Sequence, residues 1–308
     1  MSDPSAPGRD NIGRGIVLVL VAILVFSSQD AVSKYLVQSD VSPFQMTMMR
    51  FWAFAAFSLL LAWRQGGMRA GFRSRHPVLQ SMRGLLLVAD IWMYVLALVT
   101  VPLAAVQSIT LVYPLLVTLF AIPLLGEKVG LFRLGAVVVG FIGALVIVRP
   151  GGVPLDWGVF FAAGSGAAYA LYIVLTRKVS GADSTTTSMV YTGVVGLVVS
   201  TGAGIFHWEA LELSSLLLIG YIMVTGVVAH GMMILALSMA PASVLQPFNY
   251  TSLPWSILLG ILVFQEAIDA ISLVGAAIIV GAGLVVMARE RIKKIPQAVA
   301  EPALPGKE

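Results

Sequence analysis

The chain has 308 residues, of which 58% are hydrophobic and only 11% are charged, and its formal net charge is +4. A soluble globular protein carries about a quarter of its residues as charged side chains, so lipid must form much of this protein's surface. There is no cysteine, which excludes a disulfide framework, a thiolate metal site and a cysteine nucleophile.

Ten apolar segments are long enough to cross a bilayer, which takes about 20 apolar residues per helix. They are predicted at residues 14–37, 44–64, 79–99, 102–125, 131–148, 157–177, 187–206, 215–238, 241–264 and 270–288. The first is too long for the apolar core of a signal peptide and lacks a small-residue cleavage site, so we expect it in the mature protein. Pro102 and Pro241 divide the third segment from the fourth and the eighth from the ninth, because proline fits the first turn of a new helix.

Positive charge near the segment ends predicts the orientation. With the N-terminus in the cytoplasm, the outer ends carry only Lys34 and Arg149. The inner ends then carry Arg9, Arg14, Arg64, Arg69, Arg73, Arg75, Lys128, Arg133, Arg177, Lys178, Arg289, Arg291, Lys293 and Lys294. Because positive residues collect on the cytoplasmic side, we expect a multi-pass protein of the plasma (bacterial inner) membrane with both termini cytoplasmic. Arg83, also at a cytoplasmic end, is expected only to anchor its helix.

Part of the sequence is repeated. Residues 97–150 recur loosely at 236–290, at an offset of 139 residues that pairs Glu127 with Glu266 and Gln107 with Gln246. The early segments match more weakly, pairing Gly15 with Gly158 and Phe26 with Tyr169. Five segments separate the copies, and an odd number reverses the direction in which the second copy crosses the membrane.

The repeat therefore predicts an all-α integral membrane protein of ten transmembrane helices, built as two five-helix repeats of inverted topology. The first repeat is expected at residues 14–150 and the second at 151–288, between cytoplasmic tails at 1–13 and 289–308. Inverted repeats are typical of secondary transporters, whose substrate site lies near the midplane where the halves meet.

Within each repeat, a proline turn precedes a proline-interrupted helix, an acidic residue closes that helix, and a glycine-spaced helix follows. The first copy contains Pro102, Gln107, Tyr113, Pro114, Gly126, Glu127, Gly135, Gly140 and Gly143. The second contains Pro241, Gln246, Pro254, Gln265, Glu266, Gly275, Gly281 and Gly283, so that glutamine replaces the glycine before the glutamate and the inner proline is one residue out of register. This combination resembles the drug/metabolite transporter superfamily and its EamA-type ten-helix exporters. The resemblance implies an exporter, and we expect one of the amino-acid or metabolite branch.

Ionisable groups inside a bilayer are functional candidates because their burial is costly. Asp90 falls near the midplane and is expected either to bind a proton or an ammonium group, or to form an ion pair with Arg50 or Lys34. Asp30 and Lys34 are four residues apart on one helix face, and this spacing favours a local ion pair, which Arg50 joins, over a substrate contact. His230 lies one position from the repeat equivalent of Asp90 and fits either a site or a packing role.

The interrupted fourth and ninth helices are the predicted site builders, because proline frees a carbonyl that persists at depth only in a cavity or against a neighbour. The expected substrate-binding residues in and beside them are Gln107, Tyr113, Pro114, Gln246, Asn249, Tyr250, Pro254 and Trp255, with Trp92, Tyr94 and Tyr169 completing the site. The substrate is expected in the gap between these two helices. The alternative is that the prolines only kink the helices and that the aromatic residues mark the membrane interfaces.

These features predict a secondary transporter that exports amino acids, aromatic or other apolar ones, or related small metabolites by alternating access. The alternative is a multidrug or organic-cation efflux carrier of the same fold. An enzyme is not expected, because the sequence has no histidine pair at metal-ligand spacing and no glycine-rich phosphate loop. The expected partners are a small-molecule substrate and the lipid bilayer, without nucleic acid, metal or cofactor, and the expected state is a monomer or homodimer.

Overall fold

A computed structural model describes residues 9–127, 129–149, 153–240 and 245–293, and in these residues it contains helices and no strand. The first six helices are α1 (Arg9–Gln38), α2 (Pro43–Gln65), α3 (Met68–Gly71), α4 (Pro77–Thr100), α5 (Leu103–Thr110) and α6 (Tyr113–Leu125). The others are α7 (Leu131–Ile147), α8 (Trp157–Ser180), α9 (Thr185–Gly204), α10 (Leu213–Met239), α11 (Ser252–Phe264) and α12 (Ala270–Lys293). Short 3₁₀ segments follow α9 at Ile205–His207 and precede α11 at Gln246–Thr251.

The predicted membrane-spanning fold is confirmed. In the described ranges, nine apolar helical segments of at least 18 residues are long enough to cross a bilayer, and α7 is a shorter tenth. The predicted segments coincide with these helices to within a few residues, except that the predicted start of the ninth, with Pro241, lies outside the described residues.

Both interrupted helices break where the sequence predicted. The fourth segment is divided into α5 and α6, and Pro114 stands in the first turn of α6, where its missing N–H costs no helical hydrogen bond. In the described part of the ninth segment, a 3₁₀ turn at Gln246–Thr251 precedes α11, and Pro254 stands in the first turn of α11.

The two halves close these helices in the same way. Gly126 after α6 and Gln265 after α11 are both left-handed, with φ of 70° and 52°. The next residues, Glu127 and Glu266, donate their backbone N–H groups back to a carbonyl six residues earlier, at 3.3 and 3.0 Å. Gln265 therefore keeps the backbone turn that glycine makes in the first half, although this conformation is strained for a residue with a side chain.

The helix contacts repeat with the sequence. If α1, α2, α4, α6 and α7 are matched with α8, α9, α10, α11 and α12, then each major contact has its counterpart: α4 packs on α8 as α10 packs on α1, and α6 packs on α8 as α11 packs on α1. α4 also packs on α9 as α10 packs on α2. Two further major contacts, α2 on α9 and α7 on α12, are formed by matched helices. Each match joins helices five spans apart, so the two repeats have inverted topology and are related by a pseudo-twofold axis.

Glycines allow helices of the two repeats to approach one another closely. A side chain at Gly15 would meet Ala240 at 3.2 Å, and one at Gly158 would meet Val101 at 2.7 Å, where Val101 and Ala240 are equivalent residues of the two repeats. Between α7 and α12, a side chain on Gly143 would lie 2.8 Å from the carbonyl oxygen of Gly275. Small residues allow such backbone contact in membranes, where packing replaces the hydrophobic effect between helices.

We predict that Gly143→Ala separates α7 from α12, because the added methyl group meets backbone that cannot move aside. Such overpacking costs about 1–3 kcal/mol, and the change is measured as a lower midpoint of thermal unfolding in detergent. Gly135→Ala is the matched control, since nothing lies within 4 Å of that position on the same helix, and it is expected to leave the midpoint unchanged or to raise it. Equal losses in both variants would contradict this account of the α7–α12 contact.

Candidate functional site

A cavity of about 280 Å³ lies between α1, α2, α4, α8, α10 and the break that separates α5 from α6. Its polar lining consists of Asp30, Ser33, Arg50, Asp90, Tyr94, Gln107, Thr110, Tyr113, Ser165, Tyr169 and His230. Its apolar lining includes Phe26, Phe51, Phe54, Leu87, Ile91, Ile222 and Met223. No residue of α11 lines it. This cavity therefore lies beside the fourth segment and not in the gap between the fourth and ninth helices, and the substrate position expected in that gap stays a prediction. The ninth segment instead contacts the lining residues Gln107 and Tyr113 through Ser252 and Asn249.

Two carboxyl groups and one guanidinium form the charged part of the cavity, which we call the charged cluster: Asp30, Arg50 and Asp90. The positive charge of Arg50 acts on both carboxyl groups. Asp90 lies near the middle of the 24-residue α4 and accepts a hydrogen bond of 2.6 Å from the Ser165 hydroxyl on α8. If both acids are ionised, this cluster has one more negative than positive charge.

Lys34 does not belong to this cluster, and the predicted local ion pair with Asp30 is wrong. Lys34 is buried and forms an ion pair with Glu266, and its Nζ also donates to the Val101 carbonyl at 3.0 Å. Glu266 in turn accepts a hydrogen bond of 2.9 Å from the backbone N–H of Leu103. The spacing of four residues places Asp30 and Lys34 on the same helix, but the two side chains do not pair. Asp30 borders the cavity, while Lys34 is enclosed among α4, α5 and the end of α11.

A chain of hydrogen bonds joins the cavity to the ninth segment. The Tyr94 hydroxyl donates to Gln107 Oε1 at 3.0 Å, and Gln107 Nε2 donates to the Ser252 hydroxyl at 2.9 Å. Ser252 donates to the carbonyl of Asn249 at 2.8 Å, and the Asn249 side chain is hydrogen bonded to Tyr113. Asn249 therefore orients a cavity residue without lining the cavity itself.

Aromatic rings form the rest of the site. Tyr113 and Tyr169 meet edge to face at 4.9 Å between ring centroids. His230 lies between Phe26 at 5.1 Å and Phe54 at 5.3 Å. Its Nδ1 is 2.8 Å from the Gly226 carbonyl, and since a carbonyl only accepts, the neutral ring carries its proton on Nδ1 and keeps Nε2 as an acceptor.

Besides Asn249, five of the predicted site residues lie outside the cavity lining. Trp92 packs against Phe44 at 5.2 Å, Tyr250 is buried against Gly283, and Trp255 packs with the cluster around Val19 and Ile23. Pro254 is exposed, and Pro114 stands just beyond the lining residue Tyr113. The side chain of Gln246 lies outside the described residues. Helix periodicity explains why Trp92 lies outside the lining. Leu87, Asp90, Ile91 and Tyr94 share one face of α4, and Trp92 lies on another face.

Sequence reasoning missed several residues that shape the site. Ser165, Thr110, Phe54 and the small-residue face at Gly166 line the cavity, and no motif marks them. Only the helix pairing, which places α8 against α4, brings Ser165 to Asp90.

The prediction that Arg83 only anchors its helix is wrong, because its side chain is buried and hydrogen bonded inside the protein. Its guanidinium lies 5.0 Å from the Tyr172 ring, and it donates to Thr176 at 2.8 Å and to Gln80. Gln80 then donates to Asp183 at 2.9 Å. These bonds tie the start of α4 to the end of α8.

Asp183, in the loop between α8 and α9, completes this network. Burial disfavours its ionised form, but hydrogen bonds from Ser74, Gln80 and the backbone of Arg75 outweigh that effect and hold the pKa of the carboxyl below its usual value. Asp183 therefore stays ionised and compensates the buried charge of Arg83 through Gln80. In the part of the chain that the structure describes, no group of acidic or histidine side chains is arranged to hold a metal ion.

Comparison with known proteins agrees with this architecture. The model of the EamA-like transporter family matches the chain twice, at residues 13–149 and 156–288. The S-adenosylmethionine uptake transporter of Rickettsia bellii is 26% identical over 279 residues, which cover 90% of this chain and 94% of that protein. The riboflavin transporter of Vibrio cholerae is 29% identical over 271 residues, with 87% and 90% covered.

A solved crystal structure shares the fold, with a TM-score of 0.61 and 20% identity over 92% of this chain and 99% of the other. The two family matches fall on the two halves that the helix contacts relate, and together they cover nearly all of the described residues. The chain is thus a multi-pass membrane transporter that belongs to the EamA-like transporter family, within the drug/metabolite transporter superfamily.

Proposed function

We propose that the protein is a secondary carrier for a small metabolite that combines a cationic or zwitterionic group with an aromatic ring. The observation that carries this proposal is the composition of the cavity: the charged cluster Asp30, Arg50 and Asp90 shares one space with Tyr113, Tyr169 and the rings around His230. A mostly apolar pocket with a few convergent polar groups is the usual form of a small-molecule site.

The imbalance of charge in the cluster favours a cation. An uncompensated charge in a low-dielectric site is costly, so the second carboxyl group is stabilised either by a proton or by a positive group of the substrate. A proton and a cationic substrate then compete for one carboxyl group. Such competition is what exchange of a proton for a substrate requires, and Asp90 near the midplane is the group we assign to it.

The aromatic residues favour a ring-bearing substrate. Tyrosine and phenylalanine faces stack on flat rings and attract cations. The two relatives described above are named for S-adenosylmethionine and riboflavin, and both of those molecules contain a flat heteroaromatic ring system. S-adenosylmethionine also carries an ammonium group and a carboxylate, which suit Asp90 and Arg50.

Export of amino acids is the second candidate. It follows from the resemblance of the sequence to EamA-type exporters, and it is favoured by the presence of Arg50 and Asp90 in one cavity, where they suit a carboxylate and an ammonium group. Neither relative described above is named as an amino-acid exporter, and one is named for uptake, so substrate and direction must be measured together.

We infer that both termini are cytoplasmic and that the protein acts as a monomer or homodimer without enzymatic activity.

Transport into and out of proteoliposomes tests the function. The panel is S-adenosylmethionine, riboflavin, amino acids and a cationic dye, each measured with and without a pH gradient, and counterflow is scored for every compound. We expect saturable counterflow of a ring-bearing metabolite. Counterflow of apolar amino acids alone would replace the first proposal with the second, movement of the dye alone would favour drug efflux, and flux without trans-stimulation would indicate a channel.

We predict that Asp90→Asn lowers transport by at least about tenfold, because the positive group of the substrate loses its carboxylate partner, and loss of one buried charged partner costs roughly 2–5 kcal/mol. The variant should also lose the response to a pH gradient, since the amide cannot bind the exchanged proton. Glu209→Gln, on the exposed loop before α10, is the matched control and should behave as wild type. Unchanged transport with unchanged pH dependence in Asp90→Asn would contradict the assigned role.

We predict that Tyr169→Leu raises the KM for a ring-bearing substrate by about three- to tenfold, because an aromatic contact is worth about 0.5–1.5 kcal/mol. Tyr169→Phe keeps the ring and should keep most of the affinity. Tyr35→Leu replaces an exposed tyrosine and serves as the control. The substrate class would be wrong if both changes at position 169 had the same effect, since they differ in the ring and not in the hydroxyl.

A further inference from the structure

Two ion pairs occupy equivalent positions in the two repeats. The offset that pairs Gly15 with Gly158 also pairs Lys34 with Arg177, and the later offset pairs Glu266 with Glu127. The structure contains an ion pair between Lys34 and Glu266 and another, at 2.5 Å, between Arg177 and Glu127. The same contact is therefore made twice, once by the end of α1 and once by the end of α8.

The two pairs have different surroundings. The side chains of Lys34 and Glu266 are 4% and 11% exposed, whereas those of Arg177 and Glu127 are 45% and 32% exposed. Lys34 also binds the Val101 carbonyl at the end of α4, and Glu266 binds the N–H of Leu103 at the start of α5. The buried pair thus joins four helix ends, those of α1, α4, α5 and α11, while the exposed pair joins two helix ends at the surface.

Inverted topology places the pairs at opposite faces of the membrane. The cation of each stands near the C-terminal end of its helix, and the two helices, α1 and α8, are matched across the pseudo-twofold axis and run in opposite directions. The Lys34 side is therefore sealed by a buried ion pair in this conformation, and the equivalent pair on the other side is open to solvent.

We propose that Lys34 with Glu266 and Arg177 with Glu127 are the two gates of the carrier, and that they close in alternation. When the halves exchange conformations, Arg177 and Glu127 become buried and Lys34 and Glu266 become exposed. This inference rests on the proposed transport by alternating access. It adds that one repeated contact, present in two environments, determines which face of the cavity is open.

The absence of cysteine from the sequence makes the proposal directly testable. Thr110→Cys places one thiol in the lining of the cavity, and its labelling by a membrane-impermeant maleimide reports which face is open. Sealed vesicles of either orientation are labelled, so that the reagent reaches the Lys34 face or the Arg177 face separately.

We expect Lys34→Met to raise labelling from the Lys34 face by about tenfold or more and to lower it from the Arg177 face, because loss of one partner of a buried pair is strongly destabilising. Arg177→Met should change the two labelling rates in the opposite direction, since it destabilises the conformation in which Arg177 and Glu127 are buried. Lys34→Met combined with Glu266→Gln leaves no unpaired buried charge, so a shift that persists in this double variant is not caused by misfolding. Arg149→Met, in an ion pair with Asp269 that has no role in either gate, is the control and should shift neither rate.

Changes of the same sign in the Lys34 and Arg177 variants would overturn the proposal, and so would unchanged labelling in both. The outcome is separate from the test of function, because labelling needs no substrate. If wild-type protein transports a metabolite and the labelling shifts are not reciprocal, the gates are wrong and the function stands. If the shifts are reciprocal and none of the panel is transported, the gates stand and the proposed substrate class is wrong.

Discussion

A charge inside a bilayer must be compensated by groups close to it, and this constraint governs the polar architecture of the protein. Burial of an unpaired ion in a medium of low dielectric constant costs several kcal/mol in real proteins. The structure meets the constraint in three ways: Lys34 has Glu266 beside it, Arg83 reaches Asp183 through Gln80, and Arg50 is shared by two acids. Of these three groups, only the one in the cavity has unequal numbers of positive and negative charges.

That inequality separates the cavity, which we propose as the binding site, from the structural polar groups. Around Lys34 and around Arg83, hydrogen bonds to backbone or side chains complete the compensation and fix helix ends against one another. In the cavity, Asp90 has one hydrogen bond from Ser165 and shares Arg50 with Asp30. A group that is only partly compensated binds a proton or a cation readily, and this is the property that a carrier site needs.

Local patterns predicted the helices, the repeat and the positions of both helix breaks, because apolar length, proline and helix ends act over a few residues. The cavity residues Asp90, Tyr94, Gln107, Tyr113, Tyr169 and His230 were also identified from depth and residue type. Apart from Gln80, the partners of Lys34 and Arg83 were not predictable, since they come from segments more than 60 residues away that only the folded structure brings together. Trp92 and Trp255 were placed in the site by residue type alone, whereas the direction of a side chain depends on which helix packs on which face.

An inverted repeat makes a further demand on the sequence, because each half must be stable in the conformation that the other half occupies. Gln265 shows how closely the halves agree, since it adopts the left-handed turn of Gly126 although a side chain disfavours it. The mismatch between these two residues therefore does not alter the backbone at the ends of α6 and α11. What differs between the ends is the burial of the glutamate that follows, and with it the strength of its ion pair. A buried ion pair is costly to disrupt by removal of one partner, whereas a hydrated pair contributes little. Two such contacts at opposite faces are the features that we propose to bias the carrier toward one open side at a time.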